Sequence, residues 1–81
     1  MSNHEKLKQL VMDVFLIDES RYSLEMSREE VDTWDSLGLV SLAIGIEETF
    51  SYHLSQEEAL SIKKVQDIVD ILATKGISFD A

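Results

Sequence analysis

The sequence predicts an all-α fold: a small four-helix bundle of three longer helices and one short one, with a long loop between helices 1 and 2. Three observations predict it. Apolar residues recur mostly at the helical period of 3.6 and rarely alternate as they would in a strand. The chain has no proline and three glycines, so little interrupts a helical run. Its 81 residues suffice for one domain, residues 1–81. A chain of that length buries roughly 60–65% of its unfolded surface, enough for a modest core and too little for a deep catalytic cleft.

The first helix is expected from Asn3 to Leu16, with Asn3 as N-cap and Leu7, Leu10, Val11, Val14 and Phe15 on its buried side. From about Ile17 to Asp35 the chain is polar and irregular, with apolar anchors at Tyr22, Leu24, Met26, Val31 and Trp34. So long a connection in a small domain is expected to pack across the surface. Ser27-Arg28-Glu29-Glu30 fits a capping box, which allows a turn of helix there. The second helix is expected from about Ser36 to Ser51. Ser55-Gln56-Glu57-Glu58 is a clear capping box opening a short third helix into Ala59 and Leu60. The fourth, about Val65 to Lys75, should bury Val65, Ile68, Val69 and Leu72, with Gly76 just beyond its end.

Several functions are disfavoured by composition. Without cysteine there is no disulfide and no thiolate metal site. No apolar run approaches the ~20 residues that span a bilayer. The N-terminus leads into an amphipathic stretch and not a secretory core, so a cytoplasmic protein is expected. The formal net charge of −9 disfavours nucleic acid and anionic membranes as partners. From Glu29 to Ile62 there is no Lys or Arg, while Glu29, Glu30, Asp32, Asp35, Glu47, Glu48, Glu57 and Glu58 fall in that stretch. This is either a solvated acidic surface or a docking face for basic patches on other proteins.

The second helix carries the most information. Advancing ~100° per residue puts Leu39, Leu42, Ala43, Ile46 and Phe50 on one face, a core stripe. Leu37, Val40 and Ile44 fall on another face beside Ser36, with Glu47 and Glu48 flanking them. One amphipathic helix needs one apolar stripe. The second is either covered by the long loop or exposed, and an apolar centre rimmed by carboxylates has the anatomy of a transient interface. Ser36, or Asp35 before it, can cap the helix. A helix N-terminus also favours a phosphate, so capping and attachment of a phosphorylated group at Ser36 are compatible.

Other chemistry fails on its residues. Trp34-Asp35-Ser36-Leu37-Gly38 lacks the first Gly of a Gly-x-Ser-x-Gly elbow and follows no strand. His4 and His53 come with no triad pattern and are expected at the surface. Counted from Asp32, an EF-hand loop would need an oxygen ligand where Trp34 stands, Gly where Leu37 stands and Glu where Ala43 stands.

Asp35-Ser36-Leu37, followed by Val40, Leu42, Ile46, Glu47-Glu48 and Phe50, resembles the signature of the acyl carrier protein family. Glu57-Glu58-Ala59, Ile62 and Val65-Gln66 resemble its third helix and the start of its fourth, so the likeness runs from about Leu7 to Leu72. The resemblance implies a monomeric carrier and not an enzyme. It implies that Ser36 receives 4′-phosphopantetheine from coenzyme A, flanked by Asp35 and Leu37, which help a phosphopantetheinyl transferase recognise it. Acyl groups would ride as thioesters on that arm in fatty acid, polyketide or related biosynthesis. Leu37, Val40, Glu47 and Glu48 match the positions where the acyl-loading and acyl-processing enzymes dock through basic patches, and Ile44 completes that face. Leu42, Ile46, Leu54, Ala59, Ile62 and Ile68 would line the pocket for the acyl chain, with no metal involved.

The chain departs from housekeeping members of the family. Gly38 and Ser41 stand where those usually have acids, and Trp34 replaces a small residue before the motif. These departures point to a specialised stand-alone carrier. Two alternatives stay open: a D-alanyl or peptidyl carrier, whose cargo is an amino acid, and an unmodified helical adaptor using the same apolar strip, in which Ser36→Ala would leave function intact.

Overall fold

The computed structural model describes residues 2–79. It is all-helical: α1 (Asn3–Phe15), α2 (Ser36–Phe50), the short α3 (Gln56–Ser61) and α4 (Val65–Thr74), with one 3-10 turn, Arg28–Glu30, inside the first connection. That turn forms where the box was read, with the Ser27 N–H and hydroxyl both donating to Glu30 Oε1 at 3.3 and 2.9 Å.

The start of α1 corrects one expectation. Ser2 and not Asn3 is the N-cap: the Ser2 hydroxyl accepts from the Glu5 N–H at 3.2 Å. Asn3 is already helical, and its Nδ2 donates to the Ser78 carbonyl. Leu7, Val11 and Phe15, spaced by four, are buried. The helix ends one residue earlier than expected because Leu16 turns left-handed, φ 55° and ψ 49°. An L-residue other than Gly pays about 1–2 kcal/mol for that conformation, and the Leu16 side chain remains 82% exposed.

The long connection packs as anticipated. Met26, Val31 and Trp34 are buried, and Trp34 stacks on Phe15 with ring centroids 4.8 Å apart. Its indole Nε1 is buried with no hydrogen-bond partner among the described residues. The loop is also held by backbone bonds to the α3–α4 connection and the start of α4: Arg28 N–H to Lys63 O, Val65 N–H to Met26 O and Gln66 N–H to Leu24 O, at 2.7–3.1 Å. It therefore lies against Phe15 and the start of α4 and does not cover the second strip of α2.

Two glycines let backbone and helix approach α2. A Cβ on Gly38 would stand 2.2 Å from the Thr33 carbonyl oxygen and 3.2 Å from the Phe15 ring. A Cβ on Gly45 would stand 2.3 Å from Leu10 Cδ1. These contacts set α1 and α2 antiparallel, the end of α1 beside the start of α2. Thr33 is fixed in turn by its hydroxyl, which donates to the Phe15 carbonyl at 2.7 Å.

The Ser55 box forms in full: Ser55 Oγ accepts from the Glu58 N–H at 3.1 Å, and Glu58 Oε1 accepts from the Ser55 N–H at 3.0 Å. Tyr52 adds its hydroxyl to the Glu58 carboxylate at 2.7 and 2.8 Å. The Ser55 N–H first, then the Tyr52 hydroxyl, hold the Glu58 carboxyl below the usual range, while the same bond to Glu58 pushes Tyr52 up. In α4, Val65, Ile68, Val69 and Leu72 are buried as expected, and Gly76 takes φ 87° beyond its end. Neither histidine is buried: His4 is partly exposed with its ring against Phe79, and His53 is exposed.

Candidate functional site

Asp35 adopts an extended backbone and caps α2, its Oδ1 accepting from the Gly38 N–H at 2.9 Å. Ser36 is thereby the first helical residue. Its side chain is exposed and, among the described residues, takes part in no hydrogen bond. Asp35 does the capping, and the serine hydroxyl is left free at the positive end of the helix.

Ser36 opens a groove of about 520 Å³ between α2 and the 53–60 segment. One wall is Leu39, Val40, Ala43, Ile44 and Glu47; the other is Leu54, Ala59 and Leu60, with His53, Ser55 and Gln56. Ser36 and Glu47 are eleven residues apart on one helix, so the groove runs about 16 Å at 1.5 Å per residue. At its far end His53 Nδ1 pairs with Glu47 Oε1.

The second strip is exposed: Leu37 at 75%, Val40 and Ile44 at 56% each. Glu47 and Glu48 are exposed beside it. Covering by the loop, one of the two possibilities, is thus ruled out. Of the residues expected around an acyl chain, Leu54 and Ala59 line the groove, whereas Leu42, Ile46, Ile62 and Ile68 are fully buried in the closed core. Sequence reasoning missed the groove-lining roles of Leu39, Ala43, Leu60 and His53. The α3 residues Gln56, Ala59 and Leu60, spaced three and four apart, were the available signal.

Chemically the site offers a hydroxyl, an apolar groove and an acidic rim. No base bonds to Ser36, and among the described residues no cluster of His, Cys, Asp or Glu could hold a metal ion. Nor is any helix there long and apolar enough to cross a membrane. Fold and site together give an all-helical bundle with an exposed serine at the start of α2 beside an apolar groove.

The comparisons agree. The chain is 34% identical over 68 residues to the acyl carrier protein of Coprothermobacter proteolyticus, covering 84% of this chain and 83% of that protein. It is 37% identical over 71 residues to that of Thermosynechococcus vestitus, covering 88% of each. With that of Bdellovibrio bacteriovorus it shares 32% over 76 residues, or 94% of this chain and 97% of the relative. No family model matches the chain. The chain belongs to the acyl carrier protein family, and like its relatives it is a carrier and not an enzyme.

Proposed function

We propose that this protein carries acyl intermediates on a 4′-phosphopantetheine arm attached to Ser36, and that it serves a specialised biosynthetic route. One observation carries the reading: in a member of this family, the exposed and unbonded Ser36 hydroxyl stands at the mouth of an apolar groove.

The residues fit the arm. Ser36 Oγ is available for a phosphodiester, and the unpaired N–H groups of the first turn of α2 favour phosphate charge beside it. When bound, the group supplies a thiol that holds acyl chains as thioesters; the chain itself has no cysteine to compete. The groove walls, Leu39, Val40, Ala43, Ile44, Leu54, Ala59 and Leu60, remove apolar cargo from water. Longer chains reach Leu42, Ile46, Ile62 and Ile68 only if α3 moves away from α2, since all four are sealed.

Leu37, Val40, Ile44, Glu47 and Glu48 form the docking face. It contains no cation, so phosphopantetheinyl transferase and acyl-processing enzymes meet it through basic patches, with weak binding that charge steers. Tethering replaces tight affinity with local concentration. Ser41 leaves this face one carboxylate short of housekeeping carriers, which supports a narrower partner set. A cytoplasmic location and monomeric action belong to the same reading.

The test is intact mass before and after incubation with coenzyme A and a broad-specificity phosphopantetheinyl transferase. One phosphopantetheinyl unit should be gained by the wild type and none by Ser36→Ala. A wild type that neither starts with nor gains the unit refutes the carrier role. Full support of ordinary fatty acid elongation in place of a housekeeping carrier refutes the specialised one.

A further inference from the structure

Leu16 is an anomaly that the carrier reading does not absorb. It is the most exposed of the large exposed hydrophobic residues among those described, and it holds a left-handed backbone that favours Gly or Asn. Ser51, the other non-glycine residue at positive φ, is small and polar, as such a position usually is. The left-handed backbone closes α1, with the Leu16 and Ile17 N–H groups both bonding to the Met12 carbonyl, but the exposure of the Leu16 side chain is not explained by the folded chain alone.

Its placement suggests a use. Phe15 lies against Gly38, and its carbonyl accepts from the Thr33 hydroxyl, so Leu16 shares one end of the bundle with Ser36 and Leu37. Leu37, 75% exposed, is second only to Leu16 in that group. Around them Asp13, Asp18, Glu19, Asp32 and Asp35 are exposed. The nearby cations are engaged: Lys8 pairs with Glu19 at 3.3 Å, and the Arg21 guanidinium donates to the Glu30 carbonyl at 3.2 Å. This end therefore presents two bare leucines in an acidic surround.

We propose that Leu16 and Leu37 together form the contact surface for the enzyme that modifies Ser36, a transferase whose acceptor face is apolar with a cationic rim. This rests on the carrier reading. The attachment step forms a bond from Ser36 Oγ to the pantetheine-side phosphorus of coenzyme A. It breaks that phosphorus–oxygen bond to adenosine 3′,5′-bisphosphate, which leaves, and passes the serine proton to a base of the transferase. An enzyme doing this must bring its active site to bonding distance of Ser36 Oγ and so must cover this end of the bundle. Enzymes acting on cargo at the tip of a long arm are under no such constraint.

The experiment measures initial rates of modification by intact mass, using coenzyme A and the broad-specificity transferase, together with thermal midpoints. The chains compared are the wild type, Leu16→Asn, Leu16→Met and Ser36→Ala. Leu16→Asn should melt at or above the wild type, since Asn suits the left-handed position. Its kcat/KM for attachment should nevertheless fall on the order of tenfold, chiefly through KM. Leu16→Met should keep most of the rate. Unchanged kcat/KM in Leu16→Asn, or an equal fall in Leu16→Met, overturns the contact surface while leaving the carrier role standing. A wild type that gains no unit overturns both.

Discussion

Gly38 and Gly45 sit in the same helix, and the same substitution should act on them with different outcomes. Replacing Gly by Ala inside a helix is worth up to about 1 kcal/mol in propensity. At Gly45 the added Cβ meets Leu10 Cδ1 at 2.3 Å, the end of a half-buried and rotatable side chain. Turning that side chain costs about 0.5–1.5 kcal/mol, so Gly45→Ala should lie within about 0.5 kcal/mol of the wild type. At Gly38 the Cβ meets the Thr33 carbonyl oxygen at 2.2 Å. That oxygen is backbone, in a segment held by the Thr33–Phe15 bond and the Trp34–Phe15 stack, and it cannot rotate away. Overpacking of this kind costs about 1–3 kcal/mol, and position 38, in the first turn, regains little from propensity. Gly38→Ala should lose about 1–2 kcal/mol, a fall in Tm of about 5–15 °C for a domain of this size. Thermal unfolding followed by far-UV circular dichroism reads both. A Gly38→Ala protein that melts at or above Gly45→Ala would refute the reasoning. Gly38→Asp, which restores the acid of housekeeping carriers, should carry the same loss. The missing charge would then be a consequence of how closely the loop packs.

Three further outcomes are expected. Asp35→Ala removes the cap on the Gly38 N–H and should cost about 1 kcal/mol, whereas Asp35→Asn should retain most of it; chemical denaturation distinguishes them. The Glu58 carboxyl is held below its ordinary 4.5, so its contribution to stability is present above that pH and is lost as pH falls through its folded-state value. Glu58→Gln should accordingly be less stable at neutral pH and flatten the profile on the acid side; an unaltered profile refutes the assignment. Trp34, buried and stacked on Phe15, should emit in the blue and resist acrylamide quenching, and strong quenching would contradict its role as loop anchor.

What the sequence by itself determined was local. Helix identity, the Ser55–Glu58 box and the two apolar strips of α2 are written in residues three and four apart, and each was legible for that reason. So was the pairing of Asp35 with Ser36, although which of them caps was decided by the backbone: Asp35 is extended and Ser36 helical. The same limit explains the misplaced first cap, since Ser2 and Asn3 are equally good candidates by type: the Ser2 hydroxyl takes the Glu5 N–H, while Asn3 is helical and bonds to Ser78, 75 residues away. The tertiary structure alone decided the rest. It set the second wall of the groove, the exposure of Leu37, Val40 and Ile44, the reason for glycine at 38 and the bare left-handed Leu16. Each of these depends on which distant segment lies against which face, and periodicity along one helix carries no information about its neighbour.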